Sequence, residues 1–213
     1  QNRQVITMCV VMNDSGDIED YYIELRDVKI ERNISYNECD RLIGRTTSKF
    51  NKDLNDLFYL ACALEAKNAG KQAYWTKKEN SKPDIKMSSS KGFKIIREFM
   101  VLYNTLIGQF ALDRNIPYVY RYQDPEYMSA LLKQNGIGEN EQIRNVINSI
   151  YLDSKFSTSP RYHEGIKSDI YTQSTDPLRK YPDLYNQQLL HKFYFGDLDF
   201  PFDYDDFRND VDY

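Results

Sequence analysis

Apolar and polar positions along the chain fall into stretches of changing period. Val5 to Met12 is β-branched and apolar, Asp14-Ser15-Gly16-Asp17 is a turn, and Tyr21, Ile23 and Leu25 resume the apolar alternation within Ile18 to Glu31. A period of two on both sides of a Gly-containing turn predicts a β-hairpin. Alternation fails between Leu25 and Val28, which places a bulge or register break there. Ser35 with Glu38 three residues on has the form of a capping box and opens a short helix through Leu42. Leu54, Leu57, Phe58, Ala61 and Leu64 recur at helical spacing, and Gly70 is placed to stop that helix.

Lys77 to Gly92 is polar, carries Ser88-Ser89-Ser90, and reads as a loop or hairpin tip. A long helix follows, with Ile95, Ile96, Phe99, Val101, Leu102, Leu106, Ile107, Phe110 and Leu112 covering most of its circumference, so it is expected to be central and buried. Pro117 is expected to end it, and Tyr118 to Tyr122 to run extended. Pro125 suits the first position of a helix reaching Gly136, and Ile143, Val146, Ile147 and Ile150 repeat at i, i+3, i+4, i+7. Pro182 cannot sit inside a helix, so Thr175 to Lys180 is expected to turn and the last helix to begin at Pro182. The predicted class is α+β, an antiparallel β-hairpin or sheet packed against several α-helices.

At 213 residues the chain can bury one sizeable core, so one domain is the default and two small ones the alternative. No apolar run reaches the roughly 20 residues that span a bilayer, so no membrane partner is expected. Cys9, Cys39 and Cys62 are odd in number and widely spaced, which favours neither a disulfide framework nor a zinc cluster. A reducing intracellular compartment is expected, the cytoplasm first and an organelle next. His163 and His191 are the sole histidines, so any metal would be held by carboxylates and would be magnesium or manganese. The first residue is Gln1, without an apolar targeting segment, and the chain reads as a piece of something longer or a processed product.

Net charge is −4, but the segment 196–213 holds seven Asp and one Arg, or −6, which leaves +2 on residues 1–195. A weakly basic body is compatible with nucleic acid. Eighteen Tyr offer stacking faces, although a composition rich in Tyr, Asn, Lys, Ile and Asp accounts for them equally well. The predicted organisation is a body over 1–195 and an acidic, aromatic tail over 196–213. The tail's carboxylates lack metal-loop spacing; a solvated or partner-docking end is favoured, and a segment that folds back onto the weakly basic body is the alternative.

Chemistry concentrates at Tyr171-Thr172-Gln173-Ser174-Thr175-Asp176-Pro177-Leu178-Arg179-Lys180-Tyr181-Pro182-Asp183. Two adjacent cations, two prolines and two phenols flanking the turn suit a phosphate better than a core. This run resembles the signature of the ribonuclease II/R family of 3′-5′ exoribonucleases, the RNB domain, in which Tyr-Thr precedes Thr-Ser-Pro-(Ile/Leu)-Arg-(Arg/Lys)-Tyr-x-Asp. Other blocks keep the family's order: Val11 to Ile18, Ile34-Ser35-Tyr36-Asn37-Glu38, Ile95 to Asn104, Pro117-Tyr118-Val119-Tyr120-Arg121, and Arg161 to Ile166. The chain resembles the C-terminal two-thirds of that domain.

The resemblance implies hydrolysis of single-stranded RNA from its 3′ end with magnesium in the complete enzyme. It implies Arg179, with Lys180, as the catalytic cations beside the scissile phosphate, where a planar fork meets phosphate oxygens in pairs. The residue type alone equally fits a surface ion pair. Tyr36 matches a ribose-contacting tyrosine, or is a hydrophobic residue of a first helical turn. Trp75 stands beside the position of the family's stacking ring, or is core. Glu98, Arg97, Arg121 and Tyr171 fall in the RNA-binding blocks. Four positions depart from the pattern: Arg97 stands for the first Glu of a pair, Asp176 for the Ser before the motif proline, and Gln187-Gln188 for His-Arg. Asp176 would repel a phosphate unless it pairs with Arg179 or Lys180. The family's magnesium-binding Asp cluster lies upstream of the position of Val5, so no metal ligand is assigned within this chain. The N-terminal half of the domain is an expected partner, in cis or as a second chain. The other reading is a degenerate RNA-binding or assembly subunit, or one half of a split enzyme.

Overall fold

A computed structural model describes residues 2–45, 49–68, 90–124 and 154–196. The expected helices over 125–136 and 143–150, the stop at Gly70, most of the polar loop after Lys77, Trp75 and the acidic tail lie outside the described residues. The elements in order are β1 (Arg3–Met12), β2 (Ile18–Val28), α1 (Tyr36–Ile43), α2 (Asn51–Asn68), α3 (Lys91–Asp113), β3 (Tyr120–Tyr122), β4 (Lys155–Ser157), α4 (Tyr181–Leu190) and a π-helical turn, His191–Phe195. They form two compact units, one of residues 1–70 and 84–100 and the other of 71–83 and 101–213. Helices with two small antiparallel sheets make the class α+β. Among the described residues no helix is long and apolar enough to cross a membrane.

In the first unit β1 and β2 pair antiparallel, from Arg3 opposite Val28 to Met12 opposite Ile18. The register shift falls between Val11 and Met12, at the turn end, and pairing is continuous where the break was expected, between Leu25 and Val28. The reason is exposure: Arg26 and Asp27 face solvent, so burial imposes no strict alternation there. Asn13 closes the turn, its Oδ1 accepting the N–H groups of Ser15 and Asp17 at 3.0 Å each. Ser35 caps α1, its Oγ accepting the Glu38 N–H at 3.3 Å. Glu38 does not complete the capping box, because its carboxylate pairs with Arg32 instead. Cys39, Ile43, Ala61 and Ile95 form the buried cluster, with Leu54, Phe58 and Phe99 packed on it.

α3 begins one residue after Ser90, inside the stretch expected to be loop. Ser90 Oγ accepts the Phe93 N–H at 3.1 Å and donates to Asp40 Oδ1 at 3.1 Å, and Asp40 also accepts the Gly92 N–H at 2.9 Å. Gly92 is required there, since a Cβ would stand 2.9 Å from that of Cys39. The helix is less uniformly buried than its composition predicted: Ile95, Val101, Ile107 and Phe110 are inside, while Ile96, Met100 and Leu112 are exposed. It also stops before Pro117. Asn115 adopts a left-handed conformation (φ 53°), its N–H bonds Leu112 O at 3.1 Å, and the Ile116 N–H bonds Ala111 O at 2.9 Å. That pair of bonds is a Schellman cap, which satisfies the last carbonyls with a buried apolar residue, Ile116, following it.

In the second unit β3 pairs antiparallel with β4, Tyr120 opposite Ser157 and Tyr122 opposite Lys155. Tyr120 also bridges Thr172, so the first residues of the motif lie along β3. Gly108 of α3 permits this layering, because a Cβ there would meet Ile170 Cγ2 at 3.1 Å and Thr172 Cγ2 at 3.5 Å. Pro182 is the second residue of α4, and Lys180 is its N-cap.

Candidate phosphate-binding turn

The motif begins as a buried extended segment bridged to β3 and emerges as an exposed turn. Tyr171, Thr172 and Ser174 are buried; Leu178 is 96% exposed, and Lys180 and Tyr181 are exposed. Pro177 removes a donor and fixes φ in the turn, and Pro182 does the same at the start of α4, where no donor is needed.

Buried polar side chains hold this segment in place. Asn186 of α4 accepts the Val119 N–H at 2.8 Å, and its two amide hydrogens are shared among Val119 O, Thr172 Oγ1 and Gln173 O, each 2.9 Å from the nitrogen. An asparagine presents one acceptor and two donor hydrogens on a single plane, so it can cross-link two extended segments as a peptide group would. Asn104 of α3 accepts the Ser174 N–H at 3.1 Å and donates to the Tyr171 phenol at 3.4 Å. Tyr118 and Ser174 share a hydroxyl–hydroxyl bond of 3.0 Å, and burial pushes the Tyr118 phenol well above its ordinary pKa. Asp183 sits one turn before Asn186 on the same face of α4. Its Oδ1 accepts the N–H groups of Thr175 at 3.1 Å and Asp176 at 2.8 Å, while its Oδ2 is buried and unpartnered. Two N–H bonds to one carboxylate anchor the entry of the turn.

Arg179 projects from that turn with its side chain 82% exposed, and it is paired with Asp176: Nε to Oδ1 at 3.1 Å and a terminal nitrogen to Oδ2 at 2.7 Å. The carboxylate raises the pKa of the guanidinium. Asp176 O accepts the N–H groups of Arg179 at 3.2 Å and Lys180 at 3.0 Å, which closes the turn on itself. The expected pairing of Asp176 is therefore with Arg179.

Of the other expected contacts, Arg121 and Tyr171 share this unit with Arg179 and Lys180. Arg121 bonds Ser154 and lies over the Phe156 ring at 5.8 Å. Tyr171 is buried, edge-on to His163 at 5.1 Å. His163 is itself buried and its Nδ1 accepts the Ile166 N–H at 3.2 Å; burial first, then the Arg121 charge, drops its pKa to about 3. It is a neutral structural imidazole. Tyr36, Arg97 and Glu98 belong to the first unit. Tyr36 is exposed at the start of α1, edge-on to Phe93 at 5.7 Å. Arg97 lies between Glu65 (2.5 Å) and Glu98 (2.6 Å), and Lys94 joins Glu65 at 2.5 Å. Glu98 is 1% exposed and leaves Oε2 unpartnered; burial raises its pKa, and the Arg97 guanidinium opposes that rise.

Sequence reasoning did not single out Asn104, Tyr118, Ser174 or Asn186. The available signal was Asn186 three residues after Asp183, which puts two polar side chains on one face of a helix otherwise lined by Tyr185, Leu189 and Leu190. The resemblance also raised magnesium. Among the described residues no three His, Cys, Asp or Glu side chains converge on one point. Asp176 is committed to Arg179, and Asp183 to backbone N–H groups through one oxygen. The described residues therefore do not fit a magnesium ion.

The RNB domain family matches residues 1–196. A curated relative, the mitochondrial exoribonuclease II of Saccharomyces cerevisiae, is 24% identical over 188 residues, covering 74% of this chain and 19% of the relative. Ribonuclease R of Mycoplasma genitalium, solved with ribose-methylated single-stranded RNA, superposes with a TM-score of 0.71 at 16% identity, over 100% of this chain and 40% of that one. Yeast Ssd1, described as a pseudonuclease, superposes with a TM-score of 0.71 at 13% identity, over 100% of this chain and 32% of that one. The chain thus spans from about a fifth to two fifths of the length of these proteins. With a family match across nearly its whole length, the chain belongs to the RNB domain family.

Proposed function

We propose that this chain supplies the phosphate-binding part of a 3′-5′ exoribonuclease acting on single-stranded RNA, with Arg179, assisted by Lys180, beside the scissile phosphodiester. The observation that carries the reading is an exposed guanidinium on a turn whose entry is pinned by Asp183 and whose preceding segment is held by Asn104 and Asn186. Preorganised charge stabilises a phosphate most where negative charge develops, because no reorganisation is spent at that moment. In this reading Arg121 of the second unit contacts RNA, and so does the exposed Tyr36 of the first. The chemistry that magnesium would supply, an activated water and neutralisation of the phosphate, would need ligands from an Asp-bearing N-terminal RNB segment.

The test has two arms with 3′-labelled single-stranded RNA and magnesium. Residues 1–213 alone should release no mononucleotide. Joined to an Asp-bearing RNB segment, in cis or as a second chain, turnover should appear. Arg179→Ala should then lower kcat roughly hundred- to thousandfold, with only a few-fold loss of RNA affinity. Arg179→Lys should rescue poorly, since a point charge cannot make the forked contact. Near-normal turnover in Arg179→Ala would sink the assignment.

A second reading, a catalytically degenerate RNA-binding subunit, is favoured by Arg97. A cation bound between Glu65 and Glu98 stands where the family pattern has an acid. In that case the joined protein binds RNA and releases nothing.

A further inference from the structure

We propose that Asp176 is a positioning residue: it grips one edge of the Arg179 guanidinium and so aims the other edge at a phosphate of the RNA backbone. The inference rests on the reading of Arg179 as a phosphate ligand. A guanidinium has five N–H donors on two usable edges, one formed by Nε with a terminal nitrogen and one by the two terminal nitrogens. Asp176 takes the first, through Oδ1 to Nε at 3.1 Å and Oδ2 to a terminal nitrogen at 2.7 Å. The end-on fork remains for a second anion, and it sits on a side chain that is 82% exposed.

The carboxylate is the fixed member of this pair. Its side chain is 22% exposed, recessed relative to the guanidinium it holds. Its N–H is bound by the buried Asp183 at 2.8 Å, and its C=O accepts from Arg179 and Lys180. Pro177 follows and locks the next φ. An incoming phosphate therefore meets the arginine first, already oriented, with its rotamer freedom largely removed before binding. The charge of Asp176 offsets that of Arg179 at long range, so the pair contributes direction more than attraction. Lys180, exposed beside it, retains the net positive charge of the turn. On sequence alone Asp176 reads as a departure from the family pattern that would repel a phosphate unless it pairs with Arg179 or Lys180; paired with Arg179 in this geometry, it replaces mobility with aim.

The test uses the 213-residue chain and a fluorescein-labelled single-stranded RNA, with 15N spectra of the arginine Nε–H groups alongside. Asp176→Ala should weaken RNA binding roughly two- to fivefold, the size of effect expected when one ordered, exposed ion pair is lost. Asp176→Asn, which keeps one acceptor toward Nε, should fall between that variant and the parent. The Arg179 Nε–H resonance, identified by its loss in Arg179→Ala, should be resolved in the parent, averaged away in Asp176→Ala, and still present when RNA saturates the protein. Tighter RNA binding by Asp176→Ala, unchanged affinity, or loss of the parent resonance on adding RNA would each reject the positioning role and make Asp176 a competitor or a bystander. Arg179→Ala separates the two levels. If it leaves RNA affinity untouched, the phosphate contact beneath both readings is gone; if it weakens binding while Asp176→Ala strengthens it, only the role of Asp176 is rejected.

Discussion

Asn186 is fully buried, and its four hydrogen bonds join α4 to Val119 and to the segment leading into the turn. Deleting it leaves the Val119 N–H and the Gln173 carbonyl without their partner, while Val119 O keeps the Thr172 hydroxyl, and each such unpaired group costs about 1–3 kcal/mol. Asn186→Ala should lower the unfolding free energy by about 3 kcal/mol, read as a shifted urea midpoint at constant slope. A change below about 1 kcal/mol would mean that water or a neighbour replaces the amide. His163 gives a second residue-level test, through pH. Its folded pKa of about 3 lies below its ordinary 6.5. Between those values the unfolded chain takes up a proton that the folded imidazole refuses, so stability falls as pH drops through that window. The slope reaches ~1.4 kcal/mol per pH unit. Urea titrations at pH 7, 5.5 and 4.5 should show His163→Asn with a flatter dependence than the parent; parallel curves would mean that His163 is accessible to protons.

At the scale of elements, the end of α3 is set by one residue. Asn115 holds φ 53°, a region in which a Cβ crowds the following carbonyl and which glycine enters freely. Asn115→Gly should be neutral or slightly stabilising, and Asn115→Val should cost about 1 kcal/mol, a fall of about 2–4 °C in Tm for a chain of this size. Equal melting of the two variants would remove the cap from the account. The same residue explains why the helix was legible in the sequence and its end was not. The apolar spacing from Ile95 to Leu112 specifies α3, but Pro117 is the louder punctuation, and Asn at a left-handed cap has no periodic signature. The hairpin was legible from its alternation and the turn after Ser174 from its two prolines, because local geometry dictates both. β4 was not, since three residues, Lys155 to Ser157, become a strand only by pairing with Tyr120 to Tyr122. Within the candidate site, Arg179 was readable as a motif residue. Its partner Asp176 was readable as a charge without a direction, and the Asn104 and Asn186 braces were hidden because their partners are backbone groups far along the chain.

Across the whole molecule, the chain separates into two units with different polar interiors: an ion cluster of Glu65, Lys94, Arg97 and Glu98 in the first, and an amide-and-hydroxyl network of Asn104, Tyr118, Thr172, Ser174 and Asn186 in the second. The second network is long-range. Val119 and Asn186 are 67 residues apart, and Asn104 and Ser174 are 70. Closing such a loop costs entropy that no local contact repays, so these bonds form late on the path to the native state. A residue whose bonds are absent from the transition state changes the rate of unfolding and hardly touches the rate of folding. Stopped-flow measurements on Asn186→Ala should place most of its destabilisation on the unfolding limb; a slowed folding limb would put the amide in the nucleus instead. During synthesis the consequence is temporal. Arg179 leaves the ribosome seven residues ahead of Asn186, and until that asparagine follows it out the segment leading into the turn lacks its cross-links to α4. The brace arrives seven residues after the charge.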